Sequence, residues 1–381
     1  MKIVGIIVEY NPLHNGHIHH IEETRRLSNA DVLIAVMSSN VVQRGEFSMI
    51  DKFTRTRWAL KAGIDMVVEL PGIFALQSAD LFAYTSVSLL NHLGVNEIYF
   101  GSETGDTMPL YELVDIMNTS EYSDLLKHYL NEGKSFPTSS DLALNELGHQ
   151  ALLKHPNNIL GLQYINAINA LKAPIKAHAI RRIDSGYYDD ILEGTTIQSA
   201  TSIRKCLIEG VNIKNYVPSY VYEDLKSYKP FDLERFYPYI DYLTRVLTRE
   251  DLHNVFGFEE GLENRYLSIE KFESVEDYIN QVISPRYTHA KIKRTLMHML
   301  IQTKKDVLTD FNPPYIRILG MNTVGQNYVN KIKKDVSIPL ITKLKQTRHP
   351  YLDLELRITT LIDIPLNKNL LKEEFKPVLI I

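Results

Sequence analysis

The sequence has almost no cysteine, since Cys206 is the only one among 381 residues. A single thiol excludes an internal disulfide and a cluster of cysteine metal ligands, and it fits a reducing compartment. The sequence also lacks a long apolar run, and no signal-peptide charge pattern precedes its first apolar segment. We therefore expect a cytoplasmic protein with no membrane span.

Neither sign of charge dominates, because the formal net charge is −4 and 23% of the residues are charged. This composition is typical of a globular protein and argues against intrinsic disorder. It also argues against binding of nucleic acid through overall charge, although a local basic patch stays possible. No internal repeat or low-complexity segment is present, and the length predicts two domains.

Apolar segments alternate with helical patterns through the first two hundred residues. We predict buried strands at residues 3–8, 31–37, 65–71, 98–100 and 175–182. This alternation indicates βαβ units, a parallel sheet and a Rossmann-like α/β fold. Beyond about residue 210 the pattern becomes helical and rich in tyrosine. We predict domains at 1–210 and 211–381, the second mainly helical.

The first strand runs into a turn that contains the sequence HNGH. His14 and His17 are three residues apart, so both imidazoles can face one point at the start of the following helix. Free N–H groups and the helix dipole attract anions there, and Gly16 leaves room for a phosphate or a base. This pattern suits attack on the α-phosphate of a nucleotide. The alternative is a chance pair of histidines, or a histidine that only caps the helix.

A second polar segment, IQSATSIRKCL, begins at Ile197. Ser199, Thr201 and Ser202 place hydroxyl groups beside the free N–H groups of a predicted helix, and Arg204 adds a cation one turn later. In isolation, this string predicts only a serine-capped helix. Arginines such as Arg182 at the end of the fifth strand also suit phosphate recognition.

These strings resemble the nucleotidyltransferase superfamily with the HxGH signature, and GIIVEYNPLHNGH is most similar to the bacterial tRNA(Met) cytidine acetate ligases. The resemblance implies that acetate attacks ATP to give acetyl-adenylate and pyrophosphate. The acetyl group then passes to the exocyclic amine of the wobble cytidine of elongator tRNA(Met). ATP is a substrate in this scheme, Mg²⁺ is expected to accompany it, and His14 and His17 are the catalytic residues.

The resemblance also implies a set of nucleotide-binding residues. One of them is Gly101, which without the resemblance would predict only a turn. Either Asn157 or Asn158 belongs to the set, and the other is a helix N-cap. The set comprises Ile7, Val8, Glu9, Tyr10, Asn11, Pro12, Leu13, His14, Asn15, Gly16, His17, Ile18, His19, His20, Gly101, Asn157, Asn158, Arg182, Ser199, Thr201, Ser202 and Arg204.

The loop after the second strand should lie beside the first, because strand ends of an open α/β sheet face the ligand crevice. Asn40, Gln43 and Arg44 are candidate ligand contacts, unless the loop is merely solvated. Asp51 is more consistent with a helix N-cap than with a catalytic acid. From the resemblance, Lys52 and Arg55 are candidate phosphate contacts. We also predict possible phosphate contacts at Arg44 and Arg181.

A basic segment spans residues 286–348, where thirteen Lys and Arg residues face three Asp residues. Such a segment suits a nucleic-acid backbone, although a solvated helix face is the alternative. We predict that Arg286, Lys291, Lys293 and Arg294 bind tRNA.

Two other functions compete with the ligase. A small-molecule adenylyltransferase would not need the second domain, and an RNA-binding module without catalysis would not need both nucleotide strings. The sequence indicates no metal ligand and does not give the oligomeric state.

Overall fold

The structure is a computed structural model that describes residues 1–149, 155–182, 197–226, 228–308, 310–344 and 349–381. Its strands are β1 (Ile3–Val8), β2 (Val32–Ser38), β3 (Val41–Val42), β4 (Glu46–Phe47), β5 (Met66–Leu70), β6 (Glu97–Ser102), β7 (Lys176–Arg181), β8 (Ile316–Met321), β9 (Leu340–Ile341) and β10 (Leu379–Ile380). Its helices are α1 (Asn15–Ser28), α2 (Lys52–Lys61), α3 (Gly72–Ala75), α4 (Ala79–His92), α5 (Met108–Met117), α6 (Ser120–Asn131), α7 (Phe136–Glu146), α8 (Pro156–Leu171), α9 (Ala200–Glu209), α10 (Ser219–Leu225), α11 (Tyr237–Val246), α12 (Arg249–His253), α13 (Leu262–Leu267), α14 (Val275–Val282), α15 (His289–Ile301), α16 (Thr323–Ile332), α17 (Pro350–Leu366) and α18 (Leu371–Glu374).

One sheet organises the molecule, with strand order β10-β8-β5-β2-β1-β6-β7 and β9 beside β8. Strands β1, β2, β5, β6 and β7 are parallel, which confirms the five predicted strands and the Rossmann-like α/β fold. Their carboxyl ends meet at one edge, which we call the carboxyl edge. The turn after β1 therefore lies beside the loops after β2 and β6, at the position where open α/β sheets bind ligands.

Three strands from the second half of the chain extend this same sheet. Strand β8 pairs antiparallel with β5, while β9 and β10 pair parallel with β8. Division at residue 210 therefore does not separate the sheet from a helical domain, although helices dominate between residues 219 and 301. The segment Tyr315–Met321, which is apolar apart from Arg317 and Gly320 and follows Asn312 and two prolines, was the sequence signal for β8.

A buried ionic cluster joins the two halves of the chain. The Lys52 ammonium contacts Glu69 of β5, Glu374 of α18 at 2.8 Å and Glu355 of α17 at 3.4 Å. Arg317 of β8 contacts Glu374 at 2.6 Å and Glu69 at 3.2 Å. Lys52 is fully buried. Its prediction as a phosphate contact is wrong, because carboxylates of the core enclose its charge.

Helices α5, α6 and α7 lie between β6 and α8 in the chain, and α8 packs against α4 and α5. Gly161 permits close packing of α8 on the sheet, since a Cβ atom there would lie 2.2 Å from the Phe100 ring. Among the described helices, none combines the length and apolar character needed to span a bilayer.

We predict that Lys52→Met destabilises the protein by about 3 to 5 kcal/mol, because it leaves buried carboxylates without their cation. Lys127→Met, an exposed position on α6, is the control and should change the free energy of unfolding by less than about 0.5 kcal/mol. Urea unfolding measures both. Equal stability of the two variants would contradict the assignment of Lys52 to the core.

Candidate active site

The HNGH turn builds the amino end of α1 from its two histidines. His14 is the N-cap, and its Nδ1 accepts the N–H of Gly16 at 3.1 Å. The Nδ1 of His17 accepts the N–H of His14 at 3.3 Å, and the two rings stack with 3.7 Å between centroids. A Cβ atom on Gly16 would lie 2.9 Å from the His14 ring. His14 therefore caps the helix and also faces the crevice.

Both imidazoles are neutral at physiological pH. Burial lowers the pKa of His14 to about 3, and the charges of Arg182 and Arg204 add to this effect. Burial and the proximity of His14 lower the pKa of His17 as well. Because each Nδ1 accepts a backbone N–H, the proton of each neutral ring is assigned to Nε2. Each ring therefore offers one N–H donor from its other side.

The second predicted string lies next to the first. Ser199 is the N-cap of α9 and accepts the N–H of Ser202 at 3.1 Å. Arg204 donates to the carbonyl of Asn11 at 2.9 Å and to Thr201 Oγ1 at 3.3 Å. The amino ends of α1 and α9 thus meet at the carboxyl edge, where the positive ends of the two helix dipoles and the Arg204 guanidinium form a site suited to an anion.

Arg182 and the two asparagines form the other wall of the crevice. Arg182 passes over Gly101, whose absent Cβ would lie 3.3 Å from it, and its guanidinium is 3.5 Å from Asn157 Oδ1. Asn158 is fully buried and accepts from Ser102 Oγ at 2.7 Å, so it supports the loop after β6. Asn157 is the more accessible of the two. Arg181 is exposed and packs against Gly105.

Comparison with known proteins identifies the family. A family model described as HIGH Nucleotidyl Transferase matches residues 1–376. The chain belongs to the HIGH nucleotidyl transferase family. It is 39% identical to the tRNA(Met) cytidine acetate ligase of Bacillus subtilis, over 98% of this chain and 94% of that protein. The enzyme of the same name from Halalkalibacterium halodurans is 41% identical, over 98% and 96%.

Solved structures agree over the full length. A crystal structure of Thermotoga maritima TmcAL bound with alpha-thio ATP has a TM-score of 0.88, with 29% identity and complete coverage of both chains. The apo form of the same protein has a TM-score of 0.90 at the same identity and coverage.

Other members of the nucleotide-binding set are partly structural in this HIGH nucleotidyl transferase. Tyr10 and Leu13 are buried, and the Tyr10 ring lies edge-on to His17 with 4.9 Å between centroids. Asn15 donates from its backbone to the Tyr216 carbonyl at 3.0 Å. These contacts hold the HNGH turn from both sides. Of the remaining members of the set, Ile7 and Val8 lie at the end of β1, Pro12 lies in the turn, and Ile18, His19 and His20 lie in α1.

Arg55 is a structural brace and not a phosphate contact. Its guanidinium is fully buried and donates to the carbonyls of Glu9 at 2.7 Å, Ser38 at 3.0 Å and Ile50 at 2.9 Å, and to that of Ser39. It therefore ties the carboxyl ends of β1 and β2 to the following loop. The sequence did not indicate this role, because all of its hydrogen-bond partners except Ser48 Oγ, at 3.1 Å, are backbone oxygens.

The loop after β2 folds as a hairpin of β3 and β4, where the sequence predicts only a loop. Gln43 donates its N–H to Glu9 Oε1 at 2.8 Å. Arg44 is exposed at the tip of the hairpin, and its charge acts on Glu9. Asn40 is buried and bonds to Thr359 at 2.9 Å, so its prediction as a ligand contact is wrong.

The predicted tRNA-binding residues do not form one stripe. Arg286 is exposed and pairs with Glu260 at 2.6 Å. Lys293 instead pairs with Glu46, and Arg294 lies 3.5 Å from the Gln43 carbonyl, so both are turned toward the hairpin. Lys331, Lys333 and Lys334 lie at or just after the end of α16, while Lys345 and Arg348 lie outside the described residues. The basic segment is therefore divided among several surfaces.

Buried neutral histidines predict acid sensitivity. The pKa of His14 is lowered from 6.5 in the unfolded chain to about 3, so the unfolded state binds the extra proton first as pH falls. The contribution of neutral His14 to the free energy of unfolding is therefore complete above pH 6.5 and is lost as the pH falls toward 3. Between pH 7.5 and pH 5, His14 should account for about 2 kcal/mol of lost stability. Urea unfolding at several pH values should show a smaller loss in His14→Asn, and an equal loss would contradict a neutral buried His14.

Proposed function

We propose that the protein is a cytoplasmic, ATP-dependent ligase that activates acetate as acetyl-adenylate and acetylates the wobble cytidine of elongator tRNA(Met). The observation that carries this proposal is the meeting of two helix amino ends at one crevice, lined by His14, His17, Arg182 and Arg204. Donors and cations of this kind stabilise charge on phosphate oxygens. The relatives add the identity of the acid and of the tRNA, since their names specify both.

In the first half-reaction, an acetate oxygen bonds to the α-phosphorus of ATP while the bond to the β-phosphate oxygen breaks. Pyrophosphate leaves with that electron pair, and acetyl-adenylate remains. His14 and His17 donate Nε2–H groups to the α-phosphate oxygens as negative charge grows there. Arg182, Arg204 and the amino end of α9 hold the departing phosphates. Acetate needs no base, because it is already ionised at neutral pH.

In the second half-reaction, the exocyclic amine of cytidine attacks the acetyl carbon. The bond to the adenylate oxygen breaks, AMP leaves, and the amine releases one proton. Arg286, which is exposed, and Lys291, which is partly buried and feels the charges of Glu259 and Glu260, remain our proposed contacts for the tRNA backbone. Phosphate contacts of this kind position the nucleic acid and do not take part in the chemistry.

Magnesium fits the crevice only as a companion of ATP. The described residues contain no group of three His, Cys, Asp or Glu side chains placed to hold a metal ion. The residues near the phosphate position are cations and imidazoles, which suit the phosphate oxygens themselves. Mg²⁺ would therefore be held mainly by those oxygens, where it neutralises their charge.

A small-molecule adenylyltransferase remains the second candidate, because the same crevice would suit it. It does not account for the second half of the chain. That half completes the sheet through β8, and similarity to the ligases extends over it. The first half-reaction distinguishes the two functions through its acid substrate.

We expect exchange of pyrophosphate into ATP to require acetate and not tRNA, since adenylation precedes any contact with cytidine. The measurement is incorporation of labelled pyrophosphate, with and without acetate, in the absence of RNA. Exchange that occurs without acetate but with a larger cofactor precursor would favour the second candidate. Absence of exchange with any acid would reject adenylation.

We expect His14→Ala and His17→Ala each to lower the exchange rate by roughly 10²- to 10³-fold, as for loss of one oxyanion donor. The KM for ATP should change little, because these donors act mainly in the transition state. His128→Ala, on the exposed face of α6, is the matched control. Native rates in both active-site variants would mean that the histidines are only structural.

A further inference from the structure

The β3–β4 hairpin packs directly on helix α15 of the predicted RNA-binding region. Gly45 at its turn has φ +81°, a left-handed conformation that favours glycine. A Cβ atom at Gly45 would lie 2.5 Å from the backbone nitrogen of Arg294 and 2.6 Å from the carbonyl carbon of Lys293. The backbones of the two elements are therefore in contact, and no side chain fits between them.

An ion pair secures this contact. The Lys293 ammonium bonds to Glu46 Oε1, and the two side chains are only 13% and 28% exposed. Burial alone would raise the pKa of Glu46, but the charge and hydrogen bond of Lys293, together with the charges of Arg204 and Arg44, lower it overall. Partial burial shields the pair from solvent, so it is stronger than an exposed surface pair.

The other side of the hairpin reaches the adenylation crevice. The N–H of Gln43 bonds to Glu9 at the end of β1, two residues before Asn11. The Asn11 carbonyl accepts from Arg204, and the Asn11 side chain accepts the N–H of Met49, two residues after β4, at 2.8 Å. A shift of the hairpin would therefore displace the strand end that leads into the HNGH turn.

We infer that Lys293 is a positioning residue for the adenylation step, which acts through Glu46 and the hairpin and not through contact with tRNA. This inference rests on the proposed function, because its readout is acetate-dependent exchange. It gives one member of the basic segment a role in the half-reaction that does not involve RNA. Helix α15 then supports the crevice directly.

The test is a charge exchange between the two partners. Lys293→Glu and Glu46→Lys should each lower the turnover number of acetate-dependent exchange without RNA by roughly tenfold, with a smaller change in the KM for ATP. The double variant, with both charges exchanged, should recover to within about threefold of the native rate. Lys331→Glu, an exposed reversal on α16, is the matched control and should leave exchange unchanged.

Gly45→Ala tests the same contact without any change of charge. The added methyl group would collide with the α15 backbone, so exchange should fall while ATP still binds. If a reversed charge lowers the melting temperature, Lys293→Gln and Glu46→Gln replace the reversals, and their effects on turnover should be non-additive in the double variant.

Native exchange in Lys293→Glu, combined with loss of acetyl transfer to tRNA that the charge exchange does not restore, would overturn the inference and make Lys293 a tRNA contact. Additive losses in the double variant would also overturn it. Absence of acetate-dependent exchange in the native protein would instead reject the proposed function, whatever the variants do.

Discussion

A single buried guanidinium holds the carboxyl edge of the sheet in place. Arg55 reaches from α2 to the carbonyls of Glu9, Ser38 and Ile50. It therefore joins the carboxyl ends of β1 and β2 to the loop that precedes α2. Burial lowers the pKa of Arg55 to about 10, which still leaves it charged at neutral pH. Carbonyl dipoles thus solvate a cation in place of water, and the strand ends cannot separate without exposing it.

The reactive groups depend on this frame because they are also structural groups. His14 and His17 satisfy backbone N–H groups at the start of α1 with one ring nitrogen and present the other to the crevice. Their neutrality follows mainly from burial, to which Arg182 adds at both rings and Arg204 at His14, so the crevice combines neutral donors with permanent cations. Such preorganised donors need little rearrangement when charge develops on a phosphate.

The sequence predicted those features of the site that depend on residues close together in the chain. The HNGH turn and the SATSIR helix were predictable because each is a short segment whose register is fixed by the strand or helix beside it. The roles of Lys52 and Lys293 were not predictable, because their partners Glu355 and Glu46 lie hundreds of residues away in the sequence. A lysine near a predicted crevice or in a basic run also has the same sequence pattern whether it is buried or solvated. Strand β8 was predictable from its apolar run, but its antiparallel partner was not.

The ionic cluster also affects when the protein can complete its folding relative to its synthesis. Lys52 and its partner Glu355 are 303 residues apart, so translation at 5 to 20 residues per second separates their synthesis by about 15 to 60 s. Between the synthesis of β7 and that of β8, the parallel strands exist without Arg317 and without two of the three carboxylates around Lys52. A nascent chain therefore carries both nucleotide-binding strings long before its core can close, and complete folding waits until after the second half has left the ribosome.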